Sequence, residues 1–145
     1  MNRALERLIE LLKKFEGCRL HSYKDEAGIW TLGWGETAGI KEGMQWTQEQ
    51  ADSMLRRRAA WFLAETLRAC PQLIHEPFTR QAACGSLCYN IGTGAWQNVC
   101  SVRRLTARRE YAAAAEAFKR WNKAGGKVSR ILTLRRGVEC LEYLK

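Results

Sequence analysis

Apolar residues near the start of the chain recur with helical spacing. Leu5, Leu8, Ile9, Leu12 and Phe15 share one side, separated by Arg, Glu and Lys, which predicts an amphipathic helix over about 4–16. Gly17 follows as a stop signal. The pattern then changes. Between 18 and 46, glycines at 28, 33, 35, 39 and 43 punctuate short runs such as Ile29-Trp30-Thr31-Leu32. Turn residues around β-branched and aromatic ones predict a small antiparallel sheet. Thr47-Gln48-Glu49-Gln50 has capping-box spacing and should open a long helix over about 48–69, ending near Cys70-Pro71. Helical periods follow near 79–90, 96–106, 109–122 and 133–144, with breaks at Gly92-Thr93-Gly94 and Gly125-Gly126. The predicted architecture is α+β. One domain spans 1–145, with the first helix and a β-lobe over about 1–46 and a connecting helix plus larger helical lobe over about 47–145.

Composition refines this picture in three places. At 46% hydrophobic and 27% charged, the 145 residues suit one globular domain, and disorder is excluded. The net charge of +9 is confined to residues 103–136, where eleven Lys and Arg face only Glu110 and Glu116. Such a local excess implies an anionic partner: nucleic acid, acidic lipid or an anionic wall polymer. Nucleic acid is disfavoured, because no finger or recognition-helix motif occurs and Tyr111 and Trp121 are nearly the only interleaved aromatics. No stretch approaches the roughly 20 apolar residues of a membrane span. The first fifteen residues lack a signal-peptide pattern, so the chain is expected to start in the cytosol unless a targeting segment precedes it.

Six cysteines (18, 70, 84, 88, 100 and 140) include no CxxC, and Cys84 and Cys88 have no partner pair of similar spacing. His21 and His75 are not in ligand-like positions, so no metal is expected. Buried free thiols are the simpler reading, and disulfides stay open.

The candidate chemistry is a pair of carboxylates. Glu16 closes the first helix, and Asp25 lies nine positions on in the turn-rich segment. The helix C-terminus and apolar neighbours would both disfavour the ionised form of Glu16, as a general acid requires. Asp25, beside Lys24, should stay ionised. Two carboxylates in opposite protonation states can cleave a glycosidic bond. Spacing alone favours two ordinary surface acids, and Thr31 alone favours a strand residue.

The segment from Glu16 to Gly35 resembles the active-site segment of phage-type lysozymes, the endolysin family. The family pattern of Glu, eight residues, Asp, five residues, Thr stands here as Glu16, Asp25 and Thr31. Thr31-Leu32-Gly33-Trp34-Gly35 is similar to its Thr-Ile-Gly-Tyr-Gly strand, and Leu87-Cys88-Tyr89-Asn90-Ile91-Gly92 to its Phe-Asn-x-Gly helix. The stretches 118–128 and 134–139 resemble its carboxyl-terminal pattern.

The resemblance implies an α+β lysozyme-like fold with a cleft between the lobes. It also implies hydrolysis of the β-1,4 bond between N-acetylmuramic acid and N-acetylglucosamine in peptidoglycan. Glu16 would be the general acid. Asp25 would orient or deprotonate the attacking water, or stabilise the transition state, and Thr31 would hold that water. The family is described as inverting, which needs room for a water between the carboxyls. Tyr89 and Asn90 would line the sugar cleft, although Asn90 alone fits a helix tie equally well. The resemblance further implies no cofactor, action as a monomer, and release through a membrane pore to reach the wall at host lysis. The basic 103–136 segment would adsorb to anionic wall or outer-membrane polymers.

This chain departs from the family at Glu36, where histidine is usual, and at Ile131, where glycine is common. Glu36 near Glu16 would shift the pH optimum. Of the six tryptophans (30, 34, 46, 61, 96 and 121), most are expected in the core. Rivals to hydrolysis are a lytic transglycosylase, which needs one acid and no water, a nucleic-acid-binding module, and an inactive wall-binding protein.

Overall fold

The computed structural model describes residues 2–145. The first helix, α1 (Arg3–Phe15), is capped by Asn2, whose side chain accepts from the Leu5 amide at 3.0 Å. Ala4, Leu8, Ile9, Leu11 and Leu12 form its buried face. The chain then makes the expected antiparallel pair, β1 (Arg19–Lys24) and β2 (Trp30–Gly33), with Tyr23 opposite Thr31 and an irregular register between Arg19 and Tyr23. Two glycines shape the end of β2. Gly33 has φ +64°, and a Cβ there would meet the Trp46 ring at 2.9 Å. Gly35 has φ +99°, so a side chain there would be strained. They allow the chain to fold back sharply, with the Leu32 and Glu36 backbones exchanging hydrogen bonds of 2.9 and 2.8 Å.

Helix α2 (Gln48–Ala69) opens on the predicted capping box. Thr47 Oγ1 accepts from the Gln50 amide at 3.1 Å, and the Thr47 amide donates to Gln50 Oε1 at 2.8 Å. A 3-10 turn (Pro71–His75) leads to α3 (Phe78–Ile91), the central helix of the second lobe. The period over 96–106 is two helices rather than one: α4 (Thr93–Asn98) and α5 (Ser101–Ala107). The break sits where Trp96 and Cys100 both turn inward to full burial. Helix α6 (Tyr111–Phe118) is shorter than the predicted 109–122. A small hairpin, β3 (Lys123–Ala124) and β4 (Lys127–Val128), turns at Gly125-Gly126. Helix α7 (Arg130–Leu144) begins three residues before the predicted start, because the Ser129 side chain caps the Leu132 amide at 3.2 Å.

Two apolar clusters hold the fold. One joins α1, α2 and α3 through Leu8, Leu12, Leu55, Leu63 and Ala82. The other gathers Leu87, Trp96, Val102, Phe118 and Tyr143 around α3. All six cysteines are free thiols and five are buried, so they act as small apolar residues. Burial pushes the Cys88 thiol up to about 11. Of the tryptophans only Trp96 is fully buried, and Trp61 is exposed. Trp34 and Trp121 pack only partly against the clusters, so the expectation of a largely buried set is corrected.

Candidate active site

Glu16 is the C-cap of α1. Its backbone leaves the helical region (φ −98°, ψ 136°) while its amide still donates to Leu12 at 2.8 Å. The side chain is therefore aimed by a helix end, and it retains 30% exposure. Its Oε1 accepts from Arg135 Nη1 at 3.3 Å. Its Oε2 faces Gly35, at 3.7 Å from where a Cβ would stand. A larger residue at 35 would crowd the carboxyl. The dry apolar setting expected from sequence is thus replaced by a half-open carboxylate beside a guanidinium.

Arg135 is the residue that sequence reasoning missed. It is 5% exposed, lies over the Phe15 ring at 4.6 Å, and donates through Nη2 to the Ser86 carbonyl at 3.3 Å. Held by α1 and α3, it fixes where Glu16 stands. The signal was present in the Leu134-Arg135-Arg136 stretch, but there it read as surface charge. Arg135 and Arg136 are buried, so both leave the proposed basic surface patch.

Asp25 and Thr31 are brought together through one backbone residue, Ile29. Asp25 Oδ1 accepts from the amides of Ala27 and Ile29, each at 2.9 Å. The Thr31 hydroxyl donates to the Ile29 carbonyl, also at 2.9 Å. Asp25 therefore builds the turn that carries it, with one oxygen spent on backbone amides. Thr31 is buried, and with its proton given to Ile29 it offers only acceptor lone pairs.

Tyr89 and Asn90 end α3. The Tyr89 hydroxyl is buried with no hydrogen-bond partner, and burial raises its pKa. It feels the charges of Glu16, Glu36, Arg58 and Arg135 together. Asn90 is exposed, and its Oδ1 accepts from Arg136 Nη2 at 2.7 Å, so it is a helix tie as well as a lining residue. Glu16 and Asn90 open onto a recess of about 420 Å³ walled also by Ile131, Leu134, Arg135 and Val138. Glu36 is not a free charge. Arg58 Nη1 lies 3.5 Å from both its carboxylate and the Gly35 carbonyl, and the guanidinium sits 5.0 Å from the Tyr89 ring centre. Two acids and two arginines therefore act on Tyr89.

The phage lysozyme family model matches residues 13–139. The endolysin of Salmonella phage P22 is 35% identical over 136 residues, covering 88% of this chain and 89% of that protein. The endolysin of Acyrthosiphon pisum secondary endosymbiont phage 1 is also 35% identical, covering 82% and 80%. Among solved structures, the endolysin of Escherichia coli O157:H7 phage FAHEc1 superposes with a TM-score of 0.86 at 32% identity, covering 96% of this chain and 91% of that one. The muramidase domain of SpmX from Asticaccaulis excentricus superposes with a TM-score of 0.82 at 29% identity, over 95% of each chain.

Proposed function

The chain belongs to the phage lysozyme family, and from that premise we propose that it is an endolysin hydrolysing the β-1,4 bond between N-acetylmuramic acid and N-acetylglucosamine in peptidoglycan. The observation that carries this reading is the half-open Glu16 carboxyl, held on Oε1 by buried Arg135 while Oε2 faces the glycine turn. In this mechanism Oε2 carries the proton delivered to the leaving glycosidic oxygen. Asp25 uses its second oxygen, the one not spent on Ala27 and Ile29, to orient or deprotonate water. Thr31 accepts a hydrogen bond from that water. Tyr89 and Asn90 flank the sugars. The enzyme acts on the wall, reached after release through a membrane pore at lysis, and the exposed cations of 103–136 hold it to anionic polymers there. Among the described residues no helix is long and apolar enough to cross a membrane.

Digestion of purified peptidoglycan with mass analysis of the products tests the reaction. Each product should carry an added water, about 18 Da above the 1,6-anhydro product that a transglycosylase would leave. Asp25→Asn should lower the rate by about 10²-fold while leaving the melting temperature near wild type, since the amide oxygen still accepts from the turn amides. An anhydro product would overturn hydrolysis.

The Glu36–Arg58 pair predicts a second effect. Glu36→His removes a negative charge near Glu16 and leaves Arg58 unpaired. The pH–rate profile of Glu36→His should therefore differ from that of wild type. An unchanged pH–rate profile would remove Glu36 from the chemistry.

A further inference from the structure

Helix α7 is inside out. Its buried side carries Arg135, Arg136, Glu139 and Glu142 beside Cys140 and Tyr143. Its open side carries Ile131, Leu134, Val138, Leu141 and Leu144, which are 78, 64, 37, 69 and 51% exposed. The steps of three and four make these a single stripe along the helix. Val128, 67% exposed on β4, precedes the stripe by three positions. The buried charges are engaged with other elements: Arg7 grips Glu142 through two hydrogen bonds of 2.7 and 2.8 Å, and Arg135 holds Glu16. The helix is thus anchored by these charges together with Cys140 and Tyr143, leaving the apolar stripe uncovered. Soluble domains seldom leave an apolar row of this length open without a partner.

Charge specifies that partner. From 123 to 145 the two acidic side chains, Glu139 and Glu142, are buried. The exposed ionisable side chains there are all cations: Lys123, Lys127, Arg130 and Lys145. Lys14 of α1 lines the same recess as Ile131, Leu134 and Val138, where Glu16, paired with Arg135, is the acid. A second copy of a +9 chain would bring like charge to this face, which opposes self-association. A glycan offers no continuous apolar layer. A bilayer bearing anionic headgroups offers both halves, with phosphates for the cations and the acyl boundary for the leucines.

We propose that the face from Val128 to Leu144 docks on an anionic lipid bilayer, lying in the plane of its surface. At 15 residues, α7 is too short to span. This binding needs no wall hydrolysis, although Ile131, Leu134 and Val138 also wall the recess at Glu16, so the test variants stand at 141 and 144.

Co-sedimentation with vesicles at low ionic strength tests it. Wild type should bind vesicles of phosphatidylglycerol and phosphatidylethanolamine at least about tenfold more strongly than vesicles of phosphatidylcholine. Leu141→Glu/Leu144→Glu lies outside the recess at Glu16. It should lower that binding by roughly 100-fold, since withdrawing one leucine from apolar contact is worth about a factor of ten or more. Its thermal melt and its digestion of purified peptidoglycan should match wild type, which separates docking from catalysis. Lys127→Gln/Arg130→Gln should weaken binding and flatten its salt dependence. The proposal is overturned if wild type ignores anionic vesicles, or if the double leucine variant binds as wild type does. A dimer that Leu141→Glu/Leu144→Glu abolishes, seen by sedimentation velocity, would assign the stripe to a second copy instead.

Discussion

Glu16→Gln is expected to lower kcat/KM on purified peptidoglycan by about 10²–10⁴-fold, the range a positioned general acid supplies. The substitution is close to isosteric. The amide oxygen can still accept from Arg135 Nη1, which stands 3.3 Å from Oε1 in the native chain. Arg135 keeps its bonds to Ser86 and its place over Phe15, so the site should hold its shape. The loss is the transferable proton on the oxygen facing Gly35. A thermal melt within a few degrees of wild type would therefore accompany near-complete inactivity. Since the side chain is 30% exposed, removing its charge perturbs the fold little. Arg135→Met gives the complementary result. It leaves the acid in place but frees its orientation, so activity should fall with the acid still present. Full activity in Glu16→Gln would end the mechanism.

Much of this arrangement was legible in the sequence, where local chemistry sets the structure. Thr47 with Gln50 forms the capping box its spacing predicts, whereas the Ser129 cap starts α7 three residues before its apolar period registers. Asp25 and Thr31 stand close because both bond the Ile29 backbone, a tie that a six-position separation can make. Features set by distant partners were not legible. The two-helix break before Cys100 depends on Trp96 donating to the Thr66 carbonyl, thirty positions away. Arg135 meets Glu16 across 119 positions, and Arg136 meets Asn90 across 46. Helical periodicity over 133–144 identifies a helix, but its apolar stripe points outward because paired charges hold the other side. The short hairpin at 123–128 has two residues per strand, too few for any period of two to register.

Arg136→Met should destabilise the fold by about 3–5 kcal/mol near pH 10, the cost of leaving a buried charge unpaired. That corresponds to roughly 10–20 °C in Tm for a domain of this size. Arg136 and Glu139 are 1 and 0% exposed, with N···O at 2.7 Å but poor alignment for a hydrogen bond. Burial pushes the Glu139 carboxyl from 4.5 up to about 7, although Arg136 and Arg135 pull it down. A raised carboxyl binds its proton more tightly in the folded state. The stability this confers is fully present below about pH 4.5 and is lost as pH rises through about 7. Without Arg136 the carboxyl rises further and the losing window extends upward. The deficit against wild type should therefore be small up to about pH 7, where Glu139 is neutral in both folded proteins, and grow above it by at most about 1.4 kcal/mol per pH unit, approaching its full size near pH 10. Arg136→Met/Glu139→Met removes both charges and should recover most of the loss at every pH. What it does not recover is the bond to Asn90 Oδ1, a remainder independent of pH. Denaturant melts at about pH 4 and pH 10 separate the two contributions. An equal deficit at both would place the cost of Arg136→Met in packing, and the ion pair would then contribute nothing to the anchoring of α7.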